Sequence, residues 1–317
     1  MKVRDISLIV FKVAITCGLF SYLIRRVELE SIVLQLRSMS PLWAAVAIST
    51  LMAQVLLNGI RWYLVGKLIG ADLALSQAAR LVFIGQFFNQ LLPSSIGGDA
   101  VRTWAASREG IPLGRAAASI FCDRIAGLIV AVLFVSFSLE FLSTVWQPGI
   151  LNAGRFVNYL AGLIFVGLVV LLLMGVKISK LMMEFSISRP LGVISRDMRI
   201  VLFTNINSLN IICLSAVIQV LLVFVVYFFA KGINAELGFI DGLVLVPMIM
   251  LISMVPASFA GWGLRESAMV IGFGFIGITA VDALAISVSF GLSQIIIGLP
   301  GGVFWLRYLR WKKRMSA

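Results

Sequence analysis

Two arginines, Arg102 and Arg265, each stand nine residues after a proline in two copies of one short pattern. The first copy runs Pro93-Ser94-Ser95-Ile96-Gly97-Gly98-Asp99-Ala100-Val101-Arg102. The second runs Pro256-Ala257-Ser258-Phe259-Ala260-Gly261-Trp262-Gly263-Leu264-Arg265. A guanidinium carries five donors in a fixed fork, suited to two-point contact with a phosphate. Glycines just before each arginine make a turn from which a helix can start, and a helix N-terminus adds free N–H groups and partial positive charge. The two copies read as a pair of anion cradles, with Ser95, Gly98, Ser258 and Gly261 as turn residues and Arg102 and Arg265 as ligands. The alternative is that each arginine reaches out to lipid headgroups as an anchor.

Carboxylates flank both arginines. Asp99 precedes Arg102 by three residues, a spacing that puts both on one helix face, and Glu266 directly follows Arg265. Pairing would hold each guanidinium charged until an anionic ligand competes for it. Asp123 and Arg124 lie early in a long apolar run; as neighbours on a helix they point apart, so each needs a partner elsewhere, and the first motif is the expected place. Arg61 is expected to reach for headgroups. Asn89 sits in an apolar run, where it either lines a cavity or bonds between helices. Histidine is absent, and the three cysteines show no metal-type spacing. No Gly-rich loop ending in Lys-Ser or Lys-Thr is present, so no ATP site, cofactor or metal is expected, and the chain is not expected to be an enzyme.

The surroundings of the motif repeat as well. Gln54-Val55-Leu56-Leu57 and Gln219-Val220-Leu221-Leu222 lie 39 and 37 residues before the two prolines. Ala71-Asp72-Leu73 answers Ala235-Glu236-Leu237, and Gly110-Ile111 answers Gly277-Ile278. Matched landmarks in one order point to duplication.

The elements that must position these groups lie in lipid. Of 317 residues 61% are hydrophobic and 13% charged, with mean hydropathy +1.06. The net charge of +12 reflects basic residues beside apolar spans rather than a nucleic-acid surface. The expected fold is all-α and polytopic, in a single membrane domain spanning 1–317. Six long helices are expected at about 6–24, 42–65, 116–142, 156–176, 208–230 and 281–305. Leu81 to Leu92 and Leu243 to Val255 are too short to cross; each ends at a proline and a Ser/Gly stretch, and reads as the entering half of a re-entrant hairpin. Pro300 is expected to break or kink the last helix. Residues 26–38 read as an interfacial amphipathic segment within a leading region 5–41. Placing 1–5, 66–115, 177–206 and 306–317 in the cytoplasm puts 17 of 26 Lys and Arg there. Both termini are then cytoplasmic, and repeats 42–142 and 208–305, joined through the helix at 156–176, run in opposite directions. An inverted repeat with broken helices is the architecture of alternating-access transporters.

Leu91 through Arg102, Ala118-Ser119-Ile120 through Asp123-Arg124-Ile125-Ala126-Gly127, and Pro256 through Glu266 resemble the flippase-like transmembrane region of lysylphosphatidylglycerol synthases and their stand-alone relatives. The resemblance covers about residues 5–310. It implies movement of lipids across a prokaryotic cytoplasmic membrane, with lipids of anionic headgroup as partners. No soluble synthase domain is expected in this sequence, so aminoacyl transfer is not carried over. The resulting expectation is an ATP-independent translocase of a phospholipid or polyprenyl-linked lipid. A transferase on lipid-linked substrates, or an accessory subunit of envelope assembly, is the alternative. A homo-oligomer or envelope-biosynthesis enzymes are possible partners.

Overall fold

The computed structural model describes residues 29–92, 97–145, 188–204, 206–255, 258 and 261–315, together with Thr16, Gly18 and Gly162. The expected helices at 6–24 and 156–176 lie outside the described residues. Those described form ten helices and no strand. In chain order they are α1 (Leu29–Arg37), α2 (Pro41–Ile69), α3 (Leu75–Leu91), α4 (Gly97–Arg108), α5 (Leu113–Val145), α6 (Ser188–Phe203), α7 (Ile206–Gly232), α8 (Phe239–Ser253), α9 (Leu264–Gly274) and α10 (Ala280–Met315).

Four helices contain stretches long and apolar enough to cross a membrane: Pro41–Ile69, Leu113–Ser136, Ile206–Gly232 and Ala280–Tyr308. Large apolar side chains stay exposed along them, including Leu56, Leu209, Val217, Leu292, Ile296, Leu299 and Val303. Such an outward surface suits lipid and not water. By contrast α3, with 17 residues, and α8, with 15, rise only about 22–25 Å at 1.5 Å per residue, short of a hydrocarbon core of about 30 Å. Each is followed by a short helix, α4 of 12 residues or α9 of 11.

Two of the matched sequence landmarks, at Ala71/Ala235 and Gly110/Gly277, are helix terminators. Gly70 (φ +73°) ends α2, and Ala71 N–H returns to the Gly66 carbonyl at 2.8 Å. Asn234 (φ +58°) ends α7, and Ala235 N–H returns to Ala230 at 2.9 Å. Gly110 and Gly277 likewise have positive φ, closed by Ile111 N–H to Ala106 and Ile278 N–H to Phe273. A left-handed residue with a five-residue return bond satisfies the last free carbonyls of a helix. Glycine and asparagine recur at these positions because they reach that conformation at low cost. The order long–short–short–long, α2 to α5, is repeated from α7 to α10.

The chain divides into two compact units, one of Met1–Leu56, Arg80–Arg102 and Val220–Ala317, the other of Leu57–Ala79 and Thr103–Gln219. Within the first unit, α10 turns one stripe toward its neighbours: Ser287, Gly291, Gln294, Gly298 and Gly301 recur every three or four residues. Gly298 and Gly301 bring α10 against the α3 backbone at Phe87 and Phe83, close enough that a Cβ on Gly301 would strike the Phe83 carbonyl. Gln86 donates to Gln294 beside this contact. Phe83 against Phe304, and Phe88 against Trp305, seal its edges. Of the break or kink expected at Pro300, the break does not occur: α10 remains helical through this residue, which follows twenty residues of established helix. The start of α10 is capped by Thr279, whose hydroxyl accepts from Asp282 N–H at 3.1 Å. Gln35 of α1 donates to Asp282 at 2.7 Å and to the Ile233 carbonyl at 3.2 Å, fixing α1 in place.

Gly301→Ala should lower the melting temperature of the detergent-purified chain by several degrees, since overpacking a tight contact costs about 1–3 kcal/mol. Gly274→Ala, where an added Cβ meets nothing within 4 Å, should leave it unchanged. Equal effects would remove the α3–α10 contact as the explanation.

Candidate functional site

Among the described residues three arginines are buried, and each is held by a carboxylate. Two belong to the duplicated motif and lie in the first unit. The third lies in the second unit.

Arg102 occupies the face of α4 turned to α3. Its Nη1 donates to Asp99 Oδ1 at 3.1 Å, the expected i,i+3 pair, and both side chains are buried. The helices approach this closely because Gly85 and Gly98 lack side chains. A Cβ on Gly85 would collide with the Arg102 stem, and one on Gly98 would meet the Gly85 carbonyl. Asn89 bonds between helices: its Oδ1 accepts the Gly98 N–H at 2.9 Å and caps the first turn of α4. Ser95 and Pro93 lie outside the described residues.

Arg265 opens α9. Gly261 and Gly263 precede it with φ of +80° and +87°, a backbone suited to glycine. The Gly263 N–H donates to Glu266 Oε2 at 2.6 Å, the back-reach of a third-position glutamate to its cap. Glu266 is fully buried, and its Oε1 receives Arg265 Nη2 at 2.6 Å and the Ser287 hydroxyl at 3.0 Å. Arg265 Nε donates to Ser287 at 3.2 Å. The rings of Trp262 and Phe290 stand 4.8 and 5.4 Å from the guanidinium carbon. Gly291 makes room, since a Cβ there would fall 2.5 Å from Arg265 Nη2. Ser258, the one described residue of the preceding bend's motif core, is 2% exposed, and its hydroxyl finds no hydrogen-bond partner among the described residues.

The third arginine corrects two expectations. Arg61 does not reach outward: it is buried, and its Nε and Nη2 grip Asp123 Oδ1 and Oδ2 at 2.8 and 3.4 Å. Asp123 therefore finds its partner on α2 and not in the first motif. Asn58 and Ser215 take further donors of Arg61 at 3.1 and 3.3 Å. Gly127, one turn beyond Asp123, leaves space for the guanidinium, 2.9 Å from where its Cβ would lie. A doubly bonded carboxylate in apolar surroundings binds arginine better than exposure at a helix end does. Arg124 points away from Asp123, as helix geometry requires, and is exposed.

No sequence pattern marks Ser287, Phe290 and Gly291, which reach Arg265 from α10 only after folding. Gly85 and the Asn58–Arg61 spacing were visible as a small residue in an apolar helix and a polar pair at i,i+3. Among the described residues no cluster of three or more His, Cys, Asp or Glu is placed to hold a metal.

Asp123→Asn should cost about 3–5 kcal/mol of stability by leaving the Arg61 charge buried without a counter-ion. Replacing both partners, Arg61→Met with Asp123→Leu, should cost much less. Thermal unfolding in detergent separates the two, and a single variant as stable as wild type would contradict the pairing.

No curated protein matches this chain. A family model does: the lysylphosphatidylglycerol synthase transmembrane region matches residues 9–302. With membrane-spanning apolar helices and all three buried ion pairs inside the matched segment, the chain is a membrane protein that belongs to the lysylphosphatidylglycerol synthase transmembrane-region family.

Proposed function

We propose that this chain moves a phosphate-bearing lipid, a phospholipid or a polyprenyl-linked lipid, between the leaflets of the prokaryotic cytoplasmic membrane without ATP and without chemical change to the lipid. The observation that carries this reading is the matched pair Arg102–Asp99 and Arg265–Glu266, each buried at the start of a short helix that follows another helix too short to cross. A phosphate entering either place competes with the carboxylate for the guanidinium. The exchange replaces one charge-assisted pair by another, so the guanidinium is paired in both the empty and the loaded state.

In this reading the two motifs are re-entrant hairpins of an inverted repeat, 42–142 and 208–305, in a single domain of six long spans with both termini cytoplasmic. The headgroup passes between the hairpins while its tails remain in lipid. The basic residues of 66–115, 177–206 and 306–317 support that orientation. Membership in a family built around lipid synthases supports lipid as the cargo. Asn89, Gly98, Ser258 and Gly261 complete the cradles, Ser258 with a hydroxyl available to a phosphate oxygen. Both cradles must bind modestly, because a lipid held much more tightly at one would stay there.

The test is translocation of fluorescent phospholipid in vesicles reconstituted with the purified chain, followed by leaflet-selective quenching. Arg102→Ala and Arg265→Ala should each slow it by roughly tenfold or more, the value of a lost hydrogen bond to a charged group, about 1.5–3 kcal/mol. Wild-type rates in both variants would end the proposal.

A further inference from the structure

α6 takes no part in the three ion pairs, yet it is built as a distinctive surface. Its inner side, Ser195, Met198, Val201 and Leu202, is buried. Its outer side carries Val193, Arg196 and Phe203 on one helical face, with Phe203 74% exposed. Exposed large apolar groups interleaved with arginine mark a helix lying in the plane of a membrane interface.

The attachment of α6 is electrostatic. Asp197, fully buried, accepts Arg115 Nη1 from the start of α5 at 3.1 Å. At the other end the Ser208 hydroxyl accepts the Thr204 N–H at 3.3 Å and donates to the Ile200 carbonyl at 3.0 Å. The helix is thus clamped to α5 and to the start of α7. Its positive charge is in excess. Arg196 Nη2 stands 3.7 Å from Asp197 Oδ1, too far for a hydrogen bond, and Arg199 Nε is buried with no acceptor among the described residues. Two guanidinium groups, those of Arg115 and Arg196, therefore share one carboxylate, and the Arg199 Nε adds a third positive group without an acceptor among the described residues. α1, which holds the matching place ahead of α2, has no such excess: Glu30 stands in its first turn and Arg37 in its last.

We propose that α6 is a binding site for anionic phospholipid headgroups of the surrounding leaflet, with Arg196 and Arg199 as phosphate ligands and Val193 and Phe203 seated among the acyl chains. Asp197 is a positioning residue that holds the helix to α5 and keeps Arg115 occupied. This site is separate from the paired arginines of the motifs and does not depend on translocation.

The full chain in a neutral detergent, titrated with phosphatidylglycerol, phosphatidylcholine or inorganic phosphate, gives the measurement. Phosphatidylglycerol should raise the melting temperature, and the other two should not. Each interfacial arginine is worth about fivefold in affinity for an anionic surface, so Arg196→Gln with Arg199→Gln should shift the response to phosphatidylglycerol by on the order of tenfold or more in concentration. Arg196→Lys with Arg199→Lys keeps the charge and should stay within a few-fold of wild type. A Gln variant responding at the wild-type concentration would overturn the site. So would an equal effect of phosphatidylcholine, which would leave only bulk solvation, or of inorganic phosphate, which would leave only a free-anion site.

Discussion

A guanidinium taken out of water must be neutralised where it lies, and that requirement organises this protein. Arg61, Arg102 and Arg265 are each 6–7% exposed, and each has a carboxylate within 3.1 Å. Breaking such a pair strands a charge at a cost of several kcal/mol, so the helices that carry the partners cannot separate freely. In one unit the constraint ties α2 to α5, with α7 adding Ser215. In the other it holds α9 against α10 through Ser287, and it fixes the Arg102 side chain along α4 where Gly85 of α3 admits it.

The two motifs meet this requirement in different ways. In register, Asp99 corresponds to Trp262 and Thr103 to Glu266. The first motif places its acid one helical turn ahead of the arginine. The second moves the acid to the next residue and puts an aromatic ring where the first has its carboxylate. Glu266 can serve there because it lies in the first turn of α9, where its two oxygens divide between the Gly263 N–H and Arg265. The ring of Trp262 then covers a guanidinium already neutralised. Charge balance is kept while the shape of the site changes.

Glycine does the complementary work of admitting these groups. Gly85, Gly127 and Gly291 each lie on a helix next to an arginine side chain, Gly85 at the stem and the other two at the guanidinium, that any side chain would displace. Gly298 and Gly301 let α10 lie on the α3 backbone. Apolar side chains facing lipid gain little by turning inward, so close packing and polar contacts such as Gln86–Gln294 carry the association.

Much of this was legible in the residues. The four spans appear near their expected bounds, the short helices appear at both motifs, and Asn89 and Asp99 find the partners that spacing allowed. Two of the matched landmark pairs stand out because they lie at helix ends, where a left-handed turn tolerates few residue types. Pro300 does not end α10: it forbids one hydrogen bond, and a helix of 36 residues tolerates that loss. Arg61 misled because snorkelling is the default for an arginine near a helix end, and only a carboxylate 62 residues away makes burial preferable. The amphipathic α6 lies within 177–206, a stretch that basic-residue counts place in the cytoplasm without revealing its apolar face. Composition and local spacing therefore determined which helices are long and apolar enough to cross a membrane and where each helix stops, because those depend on neighbouring residues. Which acid neutralises Arg61, and which helix face receives Arg265, were decided by tertiary structure, because those partners come together only when distant helices pack.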